Sequence, residues 1–126
     1  MNSRFVVIGS ICAFLSVALG AFGAHMLKTK IGADMLAVYE TGVQYQMMHS
    51  LGLIAIGMIA ALLPNNKHLT RAGWALLIGI VLFSGSLYLL AVTGIKPLGA
   101  ITPFGGVAFL FGWLSLMLAA LQYKKQ

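Results

Sequence analysis

Apolar residues run along this chain in four long blocks. They extend roughly from Phe5 to Leu27, Thr41 to Leu63, Ala72 to Ile95 and Leu98 to Leu121, and none contains Lys, Arg, Asp or Glu. Each block exceeds the ~20 residues that a helix needs to cross a bilayer's hydrocarbon core. Lipid offers a backbone no hydrogen bonds, so the blocks are expected as helices and not as open strands. Between them stand "PNNKH" (64–68) and "TGIKPLG" (93–99), rich in the residues that end helices. The pattern predicts an all-α integral membrane protein, an antiparallel four-helix bundle. It forms a single transmembrane domain over 1–126, with helices at approximately 5–27, 34–63, 72–95 and 102–122. "MNSR", the first apolar run and Ala21-Phe22-Gly23 together have the outline of a cleavable signal peptide. The run is long for such a segment, so it is expected to remain as the first span.

One interruption stands out. "ETGVQYQMMH" (40–49) places Glu40, Gln44, Tyr45, Gln46 and His49 in the second block. In an antiparallel bundle it shares one end with "GAFGAH" (20–25), "SGSLY" (84–88) and "ITPFGG" (101–106). The opposite halves, such as "LGLIAIGMIAALL" and "FLFGWLSLMLAAL", are plain. If Glu40 lies near the interface, His49 is about 13 Å deeper, close to mid-bilayer. The pairs Glu40/Gln44, Tyr45/His49 and Gln46/Ser50 each share a helix face, and together they wrap most of the girth. The second helix is therefore expected to be enclosed by protein in this half. The candidate polar cluster is His25, Glu40, Gln44, Tyr45, Gln46, His49, Ser84, Ser86, Tyr88 and Thr102. His49 is expected to bond a polar group on another span, Ser86 or Ser16 first. Asp34 is read as a cap of the second helix, and Thr102-Pro103 as the cap and first residue of the fourth. The fourth helix then presents its positive dipole end, where Glu40 or an anionic ligand would be favoured. Gly9, Cys12, Ser16, Gly20 and Gly23 form a small-residue stripe on the first helix. It is read as packing within the monomer; the alternative is a homo-oligomer seam through Gly9, Ser16 and Gly20.

Composition agrees with the pattern and narrows the chemistry. Of 126 residues 60% are hydrophobic and 8% charged, with mean hydropathy +0.97. A soluble domain needs about a quarter charged residues. The lipid bilayer is thus the primary partner. The single Cys12 allows no internal disulfide. Arg4, Lys67, Arg71, Lys124 and Lys125 share the side of the termini. Lys28, Lys30, Lys96 and the only acids, Asp34 and Glu40, share the other. This asymmetry predicts cytoplasmic termini, with Trp74 and Tyr123 anchoring the inner interface and Tyr39 the outer one. The net charge of +6 suits anionic headgroups, and no nucleic-acid partner is expected. His25-Met26 and Met47-Met48-His49 offer ligand types that suit Cu(I). Met47 and Met48 point to different faces, so neither a metal nor another cofactor is expected. No catalytic motif appears, and an enzyme is not expected.

The strings "GAFGAH", "TGVQYQMMH", "FSGSLY", "LGAITPFGG" and "GW" occur together and in order. In them the chain closely resembles a small four-span membrane protein family of unknown function, with bacterial members such as YgdD and YwdK. Met48 departs from the Tyr found there in many members. The resemblance implies a bacterial inner (plasma) membrane location and assigns no activity. Two classes of function remain. The polar cluster binds or passes a small solute, proton or lipid headgroup; or the chain is a structural or assembly protein whose cluster is interhelical packing.

Overall fold

A computed structural model describes residues 1–124, and Lys125 of the charge count lies outside them. The helices are α1 (Ser3–Leu27), α2 (Ala33–Ile59), α3 (Lys67–Thr93) and α4 (Thr102–Lys124). A 3-10 turn, Lys96–Ala100, leads into α4. There is no strand among the described residues. Ser3–Leu27, Lys67–Thr93 and Lys96–Tyr123 are long and apolar enough to cross a membrane. At 27 residues α2 matches them in length, and it carries the polar run.

Contacts between helices set their directions. The Asn2 backbone N–H donates to Gly57 O, the Gln46 side chain reaches Cys12 O and the Ser16 side chain reaches Val43 O, so α1 and α2 run antiparallel. Likewise Gly105 abuts Phe83, Gly79 abuts Phe109 and Gly112 abuts Leu76, which sets α4 antiparallel to α3. The apolar core lies toward the end that holds the termini, built on Phe5, Leu53, Ile56, Leu69, Leu76 and Phe109.

Several helix limits differ from the sequence pattern, each for a local reason. The pattern carries α2 to 63, but α2 ends at Ile59. Three-residue turns take over there, with Ala61 N–H on Met58 O and Leu62 N–H on Ile59 O. Leu63 precedes Pro64, and a residue before proline avoids helical backbone. α3 starts at Lys67, not 72, because Asn66 caps it by accepting from Leu69 N–H at 3.1 Å. Its first turn is polar, so hydropathy misses it. It stops at Thr93, short of 95, because Gly94 takes φ +71°, the left-handed conformation that closes helices. Gly32, not Asp34, occupies the cap position of α2.

Two π turns, Leu19–Gly23 in α1 and Ile80–Ser84 in α3, are not visible in the sequence pattern. Both flank the polar half of α2. A π turn shifts the register of the helix and re-aims side chains and carbonyls around it.

Candidate functional site

The polar run of α2 separates into an outward and an inward face. Glu40 and Gln44 are exposed, and Tyr45 is partly so. Gln44 edges a surface groove with Met47 and Met48. Gln46, His49 and Ser50 are buried. From this inward face α2 bonds each of the other three helices.

Toward α1 there are three bonds. Tyr39 donates its phenol proton to Leu19 O at 2.6 Å, at the start of the π turn. Ser16 donates to Val43 O at 2.9 Å, and Gln46 Nε2 donates to Cys12 O at 2.8 Å. Tyr39 is therefore buried under α1 rather than anchoring at an interface. Its ring fits only because Gly23 has no side chain: a Cβ there would lie 1.9 Å from the phenol oxygen. The small-residue stripe packs the same seam. A Cβ at Gly9 would sit 2.8 Å from Ser50 O, and Ser16 is buried. Gly9 and Ser16 thus face α2 within the chain.

Toward α3, Ser84 donates to Gly42 O at 2.7 Å, and Tyr88 donates its phenol proton to Gln46 Oε1 at 2.6 Å. Gln46 therefore ties α1 and α3 to α2 with one side chain, donor on one side and acceptor on the other. The Tyr39 and Tyr88 rings pack 5.3 Å apart across this region.

Toward α4, the partner of His49 is neither Ser16 nor Ser86. Its Nε2 accepts from Trp113 Nε1–H at 3.0 Å, and Nδ1 lies 2.7 Å from Tyr45 O one turn earlier. Both ring nitrogens are matched once only if the proton is on Nδ1, which donates to Tyr45 O while Nε2 accepts. The imidazole also stacks on Phe109 at 3.5 Å between centroids, and the Tyr45 ring packs at a tilt against Phe83 at 4.5 Å. Ser86 bonds instead to Phe83 O at 2.9 Å and to the Thr102 hydroxyl at 2.6 Å. Thr102 thus turns its hydroxyl across to α3.

The structure therefore gathers Gln46, Ser84, Tyr88 and Ser16 at one junction and His49, Tyr45 and Trp113 at another. Ser86 and Thr102 form a third. His25, Glu40 and Gln44 are exposed and stand apart. Trp113 and Tyr39 are the participants that sequence reasoning missed. Trp113 lies about 17 Å along α4 by helical rise, far from either interface. An indole N–H at such depth needs an acceptor, and that was the available signal. Among the described residues no buried side-chain polar atom lacks a hydrogen-bond partner.

The Trp113 bond gives a direct test. Trp113→Phe should lower unfolding stability in detergent by about 1–2 kcal/mol, because His49 Nε2 is left buried and unmatched. The double change Trp113→Phe/His49→Leu should cost less than the two single changes added together. Strict additivity in a double-mutant cycle would show that the bond is absent.

Fold and site define a small all-helical membrane protein whose second helix bonds the other three. The chain belongs to the family described as a protein of unknown function, DUF423, which matches residues 19–106. It is 53% identical over 119 residues to the UPF0382 membrane protein YwdK of Bacillus subtilis, covering 94% of this chain and 97% of that one. A UPF0382 membrane protein of Staphylococcus haemolyticus is 48% identical over 119 residues, with 94% and 96% covered. No solved structure is significantly similar.

Proposed function

We propose that this chain is a rigid packing unit of the bacterial inner membrane, acting through its shape and surface and not as a path for a solute. The observation that carries this reading is the matching of donors to acceptors along α2. Gln46 and His49, the most polar buried groups, each use both of their polar ends in bonds to protein. A route for a small solute, proton or lipid headgroup would need Glu40, Gln44, His49 and Ser86 to share one space. Glu40 and Gln44 are exposed, while His49 and Ser86 are buried in separate junctions. Interhelical hydrogen bonds in membranes are each modest, about 0.6 kcal/mol on average. A set joining α2 to three helices fixes register and rotation more than it adds stability.

Proteoliposomes carrying a proton gradient distinguish the two readings. The packing unit should leave the decay of the gradient at the rate of empty vesicles, and His49→Gln should change nothing. Faster decay that His49→Gln abolishes would establish a route.

The same reading places both termini in the cytoplasm, since Arg4, Lys67 and Arg71 lie at that end and both acids at the other. Cysteines introduced at 65–68 should resist a membrane-impermeant thiol reagent applied to intact cells and should react once the cells are opened. Labelling from outside would reverse the orientation.

A further inference from the structure

The end of the bundle that holds the termini contains a second feature, unconnected with the polar junctions. A cavity of about 550 Å³ lies between the start of α1, the 60–66 turn and the start of α3. Arg4, Asn2, Asn65 and Thr70 are among its lining groups, and Phe5 and Ile56 close its deeper side. Three observations give it an anionic occupant. The first is charge: Arg4 lines it, while Lys67 and Arg71 are exposed on the adjoining turn of α3. The chain's only acidic side chains, Asp34 and Glu40, sit on the first turns of α2, and the rest of that helix, about 28 Å of rise, separates Glu40 from this end. The second is the open start of α1. Asn2 makes no side-chain cap, and Ser3, Arg4 and Phe5 line the cavity at the helix end where amide N–H groups lack intrahelical acceptors.

The third is continuity with an apolar groove. Thr70 lines both the cavity and a groove of about 520 Å³ that runs between α3 and α4. Arg71 stands at the mouth of this groove, and Trp74, Ile78, Val107 and Phe111 form its walls. Phe5, from the cavity, packs edge-on against Trp74, from the groove, at 5.4 Å between centroids. A basic, polar chamber at the interface therefore opens beside a hydrocarbon slot directed into the membrane.

We propose that this pair of spaces seats one anionic phospholipid, its phosphate headgroup in the cavity near Arg4 and an acyl chain along the α3/α4 groove. Basic chambers between helices at a membrane surface recognise headgroup phosphates by charge and hydrogen bonding. The groove adds what a free anion lacks, a site for the chain.

Native mass spectrometry and thermal unfolding of the detergent-purified protein test this. With equal amounts of dioleoylphosphatidylglycerol and dioleoylphosphatidylcholine, one phosphatidylglycerol should be retained at least fivefold over phosphatidylcholine, and it should raise the melting temperature. Arg4→Gln/Arg71→Gln should bring retention of the two lipids to parity. Ile78→Trp, which fills the groove from an exposed position, should lower retention of phosphatidylglycerol with the arginines intact. Sodium phosphate alone should give no comparable thermal shift. Equal retention by the unaltered protein would overturn the proposal, as would a preference that survives loss of both arginines. A full thermal shift from sodium phosphate, with Ile78→Trp without effect, would make this a free-phosphate site and overturn the lipid assignment.

Discussion

Gln46→Leu should destabilise the bundle by about 2–4 kcal/mol, the largest effect expected of any polar substitution here. The change removes two interhelical bonds, to Cys12 O on α1 and from Tyr88 on α3. By themselves, at the average of about 0.6 kcal/mol per bond between membrane helices, they would account for about 1 kcal/mol. The larger part comes from what remains. The Tyr88 hydroxyl is left facing Leu, with no water to replace the amide, and an unmatched buried donor costs about 1–3 kcal/mol. This predicts a specific rescue. Tyr88→Phe in the Gln46→Leu background should recover about 1–2 kcal/mol, although Tyr88→Phe alone is destabilising. Unfolding by denaturant in detergent micelles provides the comparison. If the double variant is no more stable than Gln46→Leu, the phenol does not depend on Gln46.

The junction at Gln46 also shows what the sequence can and cannot convey. Hydropathy alone outlined the long helices. Polar residues around most of α2 suggested a helix enclosed by protein, but only one face is. Glu40, Gln44 and Met48 are exposed, because long polar side chains at this end of α2 can reach water while Gln46 and His49 turn inward. The identity of the bonding partners was hidden, because four of the interhelical bonds end on main-chain carbonyls: those of Val43, Leu19, Cys12 and Gly42. A carbonyl exists at every residue, so residue types cannot mark which one is reached. The π turns compound this. They move the carbonyls and side chains of α1 and α3 away from regular spacing, and neither "LGAFG" nor "IVLFS" has a composition that announces them. His49 illustrates the same limit. Serines on α1 and α3 were the obvious partners by residue type, but each is satisfied locally or by a carbonyl. The ring instead meets an indole from a half of α4 that reads as plain hydrocarbon. Glu40 and Gln44 fail to join because helical spacing shows which residues share a face, not which face turns inward.

Gly105→Ala should be as damaging as the loss of Gln46, and for an opposite reason: it adds an atom. At the α3/α4 crossing, a Cβ on Gly105 would lie 2.4 Å from the backbone nitrogen of Phe83 and 2.7 Å from its Cα. Main chain cannot rotate aside as a side chain does, so the helices must separate. Phe83 is inside the second π turn, and the same contact region holds the Ser86–Thr102 bond and the Phe83–Phe109 packing at 5.4 Å. Separation would loosen all of them. Overpacking of a filled interior costs typically about 1–3 kcal/mol, and a clash with backbone belongs at the upper end. Gly106 supplies the control. It is the next residue on the same helix turn, and a Cβ there meets nothing within 4 Å. Gly106→Ala should therefore be neutral or stabilising by up to about 1 kcal/mol, because alanine loses less backbone freedom than glycine on forming a helix. Melting temperatures of the two variants in one detergent should fall on opposite sides of, or at, the parent value. Equal behaviour of the pair would mean that α3 and α4 do not cross at Gly105.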